Sequence, residues 1–262
     1  MEKTNRRDLP VGVIDSGVGG ISVLRELVKL MPGEDFLFFG DSVNAPYGTK
    51  SREWICETVL SHTARLRERG IKALVVACNT ATSAAIKELR AVYDDMPVIG
   101  IEPALKPAVM VKEHPNVLVL ATPGTVTGEK FQNLMQGFAG KAEMTALPCP
   151  GLMEFVEAGE LDSPRLHQYL KDLLSPCLGK KIDAVVLGCT HYPFIRGALS
   201  KELGKDVPIL DGSEGTARET RRRLLQEGLL RERSAGGSVT FENSLPEKTE
   251  LCRKLMEMGE AF

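Results

Sequence analysis

No stretch of this 262-residue chain is apolar for the roughly 20 residues that a membrane-spanning helix needs, runs such as "VLVLA" (Val117 to Ala121) being far shorter. No transmembrane helix is therefore expected. The opening "MEKTNRRDLP" has basic residues but no apolar stretch behind them, so a secretory signal is not expected and a cytoplasmic, reducing setting is. Charge of one sign is also lacking: 33 basic and 35 acidic residues leave a net of −2, which argues against a dedicated nucleic-acid binder. The one basic cluster, Arg218 to Arg223, has Leu224 and Leu225 beside it and reads as the wet face of a helix. Finally, the six cysteines (Cys56, Cys78, Cys149, Cys177, Cys189 and Cys252) contain no CxxC pair. That spacing excludes a disulfide framework and a closed zinc site and predicts free thiols.

What the chain does have is a repeated order of short apolar strands and helices. Strands are expected at 11–14, 36–39, 73–77, 98–101, 117–121, 143–147, 184–187, 207–210 and 238–241. Helices are expected between them: after Gly20 until Pro32, from Ser51 to Gly70, through Ala84 to Val92, near Ala104–Lys112, around Glu129–Phe138, in pieces up to Leu178, through Leu225, and at the end. Strand runs that are β-branched and continuously apolar, alternating with helices, indicate mainly parallel sheets covered on both faces, an α/β fold. "ALVVACNTATS" (Ala73 to Ser83) and "AVVLGCTHYPF" (Ala184 to Phe194) are near copies, with Cys189 lying 111 residues after Cys78. The strand ending at Asp15 maps in the same way to the one ending near Thr122. An internal duplication follows, with two pseudo-symmetric lobes: residues 1–98 plus 208–262, and residues 99–207.

Ligands of open parallel sheets bind at the carboxyl ends of the strands. Four such ends are polar: Asp15-Ser16-Gly17, Cys78-Asn79-Thr80, Thr122 with Thr125, and Cys189-Thr190-His191. If the lobes face each other, two thiols approach one pocket from opposite sides, which is what a two-base racemisation needs: one thiolate removes an α-proton and the other thiol returns one to the opposite face. Both cysteines are followed by Thr or Asn at an expected helix start, where backbone N–H groups can lower a thiol pKa and can also hold a carboxylate, although the pKa values themselves are not legible in the sequence. His191 is a candidate to tune or relay protons for Cys189, and Asp15 either caps a helix or serves Cys78. "NAPYG" (Asn44 to Gly48) reads as a turn that also permits a lid. "DSGVGG" (Asp15 to Gly20) departs from G-x-G-x-x-G, so a dinucleotide site is a weak reading. A Cys189/His191 hydrolase and a non-catalytic amino-acid-binding module remain as alternatives.

At these residues the chain resembles a known family. "GVIDSGVGG", "GDSVNAPYG", "VVACNTA", "ATPGTV" and "LGCTHYP", in this order between Val11 and about Leu225, are similar to the glutamate racemases of the cofactor-independent aspartate/glutamate racemase superfamily. The resemblance implies interconversion of L- and D-glutamate, a small-molecule substrate, without pyridoxal phosphate, other cofactor or metal. It also implies a role in supplying D-glutamate for bacterial peptidoglycan, and a homodimer that binds neither nucleic acid nor membrane. It makes Cys78 and Cys189 the acid/base pair, with Asp15 assisting Cys78 and His191 assisting Cys189. Ser16, Asn79, Thr80, Thr122, Thr125 and Thr190 become substrate contacts, Pro46, Tyr47 and Gly48 close the pocket, and Asp41 matches a family acidic position. In "GLMEFVEAGE" Glu154 stands where the family usually has proline; Glu157 best matches the acidic residue near His191, and the role could fall to either. A relative acting on aspartate or a hydantoin is the remaining alternative.

Overall fold

The computed structural model describes residues 5–177 and 179–259. Met1–Thr4, where a signal was sought, and Leu178, the expected limit of the mid-chain helices, lie outside them. β1 (Val11–Asp15) leads into α1 (Ile21–Leu30), whose Ile21, Leu24 and Leu27 recur at helical spacing and are buried. β2 (Phe36–Gly40) follows. Next comes α2 (Arg52–Glu68), capped by the Ser51 hydroxyl accepting from the Trp54 N–H and ended before Gly70, whose φ is +81°. β3 (Ala73–Val76), α3 (Asn79–Val92) and β4 (Val98–Gly100) complete the first series.

The second series runs α4 (Leu105–Ala108), β5 (Asn116–Ala121), α5 (Pro123–Val126), α6 (Glu129–Gln136), β6 (Glu143–Pro148), α7 (Leu152–Glu157), α8 (Pro164–Leu174), β7 (Ala184–Leu187), α9 (Arg196–Leu203) and β8 (Ile209–Asp211). α10 (Ser213–Gln226), β9 (Val239–Asn243) and α11 (Lys248–Glu257) return to the first sheet. The helix expected near Ala104–Lys112 is only the four residues of α4. Met110 and Val111 beyond it are exposed, so no packing face holds further turns. β8 begins two residues later than expected because Pro208 has no N–H to give the ladder, although its carbonyl accepts from Val185.

All strand pairs are parallel, in the orders β4-β3-β1-β2-β9 and β6-β5-β7-β8. Read from the other edge, the second sheet is β8-β7-β5-β6. With β5 to β8 taken as counterparts of β1 to β4, the two orders are the same, and β9 is an added edge. The chain crosses between sheets after Gly100 and again after Asp211, a few residues beyond the expected 98 and 207. Residues alternate between buried faces: Val11, Val13, Phe36 and Phe38 pack with α1, while Ile14, Leu37 and Phe39 pack with α2 and α3. The Arg218–Arg223 stretch lies on α10, where Arg218, Arg222 and Arg223 pair with Glu214, Glu219 and Glu227 on the solvent side.

Candidate active site

The four polar strand ends meet. Cys78 follows β3, Cys189 follows β7, Ser16 follows β1 and Thr122 follows β5, and all four line one small cavity between the sheets. Size alone does not single it out, since an open groove of about 1740 Å³ beside α1, β8 and α10 holds none of these groups. Chemistry does. Asn79, Thr80, Thr190, His191, Tyr47 and Gly48 complete the polar wall, and Met153 and Gly188, which sequence reasoning missed, complete the rest. Met153 is two residues into a short helix and Gly188 has no functional group, so neither carries a sequence signal. The cavity is closed, with Cys78 6% and Cys189 7% exposed.

On the first sheet's side, Cys78 is the N-cap of α3, its Sγ accepting from the Ala81 N–H at 3.4 Å, and its thiol donates to Ser16 Oγ at 3.4 Å. Such bonds at a helix start can make a thiol acidic. The opposite holds: burial and the nearby Asp15 carboxylate push the Cys78 thiol up to about 12 against Ser16 and Ala81. Asp15 itself is raised by burial. Its carboxylate accepts from the Gly17 N–H (2.9 Å) and the Thr190 hydroxyl (3.0 Å), so Asp15 hydrogen-bonds toward the Cys189 strand end and acts on Cys78 through its charge. Thr80 reaches across the cleft in the other direction, 3.1 Å from the Thr122 hydroxyl and 2.9 Å from that of Thr125. Asn79 Oδ1 is buried without a partner among the described residues, an acceptor held for something that enters the cavity.

On the second sheet's side, a short 3₁₀ turn (Tyr192–Ile195) rather than an α-helix follows Cys189-Thr190-His191. The helix start expected there is absent because α9 begins only at Arg196. The positive group is instead a side chain: His191 Nδ1 lies 3.7 Å from Cys189 Sγ and Nε2 lies 2.9 Å from Glu157 Oε1. Burial opposes a charge on this 1% exposed imidazole, but its bonds to Cys189 and Glu157 outweigh burial and raise its pKa well above the ordinary value. Glu157 is held low despite burial, chiefly by His191. Its Oε1 also accepts from the Val18 N–H at 2.8 Å, and Lys248 of α11 sits 3.4 Å from its Oε2 and donates to its main-chain carbonyl. Glu154 is exposed, and it is Glu157 whose carboxylate meets His191.

The remaining expected residues stand one layer back. Thr125, Asp15 and Glu157 act through Thr80, Thr190 and His191, and Pro46 precedes the lining pair Tyr47-Gly48. Asp41 does not line the cavity; it accepts from the Tyr47 hydroxyl at 2.7 Å. The glycines of "DSGVGG" are explained by close approach rather than by phosphate. A Cβ on Gly17 would lie 2.2 Å from Glu157 Oε1, and one on Gly19 would lie 2.3 Å from His191 Nδ1. None of the six cysteines is paired, and among the described residues no helix is long and apolar enough to cross a membrane.

The family model for Asp/Glu/hydantoin racemase matches residues 11–220. A glutamate racemase of Clostridium novyi is 49% identical over 245 residues, 94% of this chain and 95% of that protein. The crystal structure of a glutamate racemase isoform from Bacillus anthracis superposes with a TM-score of 0.83 at 32% identity, covering 93% of this chain and 91% of that one. The Escherichia coli glutamate racemase, solved with L-glutamate and the activator UDP-MurNAc-Ala, gives 0.81 at 31% identity, covering 94% and 95%.

Proposed function

The chain belongs to the Asp/Glu/hydantoin racemase family and racemises glutamate, and we propose that it does so by passing protons between Cys78 and Cys189 on opposite faces of the α-carbon. The observation that carries this reading is that both sulfurs, from corresponding strands of two sheets, line one closed cavity. In one direction the thiolate of Cys189 takes the α-proton and the thiol of Cys78 gives its own to the other face. The substrate leaves as its mirror image, and the thiols have exchanged protonation states. The exchanged form is the one suited to the opposite enantiomer, and solvent protons restore the first.

A thiolate is a weak base for a carbon acid, so the site must stabilise the charge that develops on the α-carboxylate. Ser16, Thr80 and Thr190 bring hydroxyls to the cavity, the Asn79 amide brings donors, and its unpartnered Oδ1 suits the α-ammonium. Exclusion of water strengthens each of these interactions. A protonated His191 stands beside the Cys189 sulfur, and Glu157 holds the imidazolium in place. We further propose that the two sheets with their helices are lobes, divided near 98–100 and 207–211, that part to admit substrate. The protein works as a cytoplasmic homodimer and supplies D-glutamate for peptidoglycan.

The decisive experiment incubates the protein with L-glutamate in deuterated water without added cofactor, following optical rotation and α-carbon deuterium together. Loss of rotation with one deuterium gained per inversion supports the mechanism. Inversion without deuterium would remove the two-thiol route, and no change at all would remove glutamate as substrate. Aspartate and hydantoins in the same assay then separate this reading from that of a family relative.

A further inference from the structure

Asp41 is an acidic hub one layer behind the cavity wall. It follows β2, its N–H donates to the Asp15 carbonyl at 3.0 Å, and its carboxylate is 1% exposed. Asn44 donates to both carboxylate oxygens (3.1 and 2.9 Å), Tyr47 donates to Oδ2 at 2.7 Å, and His62 Nε2 lies 3.0 Å from Oδ2. Against its burial, these bonds hold the Asp41 pKa down to about 2, so the hub is a carboxylate.

Asn44 and Tyr47 belong to the same short segment as Asp41 and move with it. His62 does not. It sits in α2 with its ring tilted on Phe39 of β2, centroids 4.7 Å apart, and its side chain is 18% exposed. The Tyr47-Gly48 wall is also pressed against the opposite lobe, since a Cβ on Gly124 would lie 2.7 Å from the Gly48 Cα. Main-chain and side-chain ties on its own side hold the start of this segment, from the Asp41 N–H to the Asp15 carbonyl, from Asn243 to Ser42 Oγ at 3.0 Å and from the Val43 N–H to Ser244 Oγ at 2.9 Å, which leaves the Asp41 carboxylate and the Tyr47 hydroxyl needing a fixed point of their own.

We propose that His62 is that fixed point: a positioning residue that ties the Asp41 carboxylate to α2, thereby sets the Tyr47 hydroxyl, and so holds the cavity wall made by Tyr47 and Gly48. His62 touches no substrate in this arrangement. Its effect is on how well the pocket is formed before substrate enters, hence on KM more than on kcat. The inference rests on the cavity's being the glutamate site for its kinetic readout only, because the wall also carries its own optical probe. The sole tryptophan, Trp54, packs edge-on against the Tyr47 ring at 5.7 Å.

The test compares His62→Gln, whose amide nitrogen reaches the place of Nε2, with His62→Leu, which keeps bulk on Phe39 but has no donor. His62→Leu is expected to raise KM for glutamate about tenfold with kcat within about threefold, and to increase acrylamide quenching of Trp54. His62→Gln is expected to restore both to within about twofold of the unaltered protein. Unchanged KM and unchanged quenching in His62→Leu would overturn the proposal, as would equal impairment of both variants with equal loss of thermal stability, the mark of a merely structural residue. If the unaltered protein turns over no glutamate, the functional reading fails while the quenching contrast still decides whether His62 holds the wall.

Discussion

Cys78 and Cys189 occupy corresponding places, each just after the strand beside the first strand of its series, yet their surroundings carry opposite charge. Cys78 has a buried carboxylate, Asp15, as its neighbour and a thiol pKa pushed to about 12; Cys189 has an imidazolium backed by Glu157 and Lys248. Repetition of the strand order sets where the two sulfurs stand, and the neighbours set the charge that each of them meets. Mirror-image substrates ask for nothing more symmetric than position. L- and D-glutamate have equal free energy, so kcat/KM must be the same in both directions whatever the thiols' acidities, and unequal halves differ only in kcat and KM taken separately.

The largest effect that would break this comparison is removal of either sulfur. Cys78→Ala and Cys189→Ala are each expected to lower racemisation by about 10⁴-fold or to below detection. Any remaining deuterium uptake in each should be confined to one enantiomer, and to opposite enantiomers in the two variants. Mass spectrometry of recovered L- and D-glutamate checks this, and uptake into both enantiomers by either variant would sink the division of labour.

Next in size is Glu157→Gln, which leaves His191 without its anion and should lower kcat about a hundredfold. It also cuts stability by about 3 kcal/mol near pH 6, as expected for breaking a buried ion pair. The pH dependence has a definite sign. The raised His191 pKa contributes stability that is full below about pH 6.5 and lost as pH rises through its folded value. The lowered Glu157 pKa contributes stability that is full above about pH 4.5 and lost as pH falls through its folded value. Urea unfolding of both proteins should therefore show the gap narrowing toward strong acid and toward alkali.

Alkylation sharpens the comparison more gently. At pH 8 a thiol of pKa about 12 is ionised in only about one molecule in 10⁴, so iodoacetamide should label Cys78 at least about tenfold more slowly than it labels free cysteine, as peptide mapping over time checks. Smallest is Lys248→Met, expected to lower kcat/KM about threefold through Glu157, and by the same factor from either enantiomer. Unequal factors would contradict thermodynamics and indicate an assay fault, whereas no change would remove Lys248 from the Cys189 half.

The doubled cysteine strands, the parallel α/β order and the polar strand ends were legible because each is written in contiguous residues. Contacts between the two sheets were not. The side-chain partner of Asp15 is Thr190, 175 positions away, and nothing near Asp15 in sequence announces it. Gly17 and Gly19 read as a poor phosphate loop because the groups that forbid a Cβ there, Glu157 and His191, arrive from the other sheet. The acidity of Cys78 was not legible for the same reason: the helix start is local and visible, while burial and the Asp15 carboxylate, which outweigh it, come from tertiary structure. His62 passes in sequence for one more residue on a polar helix, and only the fold brings it to Asp41.

The place of β9 and α11 has a consequence for how the molecule is made. A ribosome delivers both thiols, Glu157 and His191 well before Val239–Asn243 can join the edge of β2 or Lys248 can reach Glu157. The nascent chain therefore carries every one of those groups while the support behind its imidazolium is still untranslated. The half of the site that depends most on distant charge is thus the last to be finished.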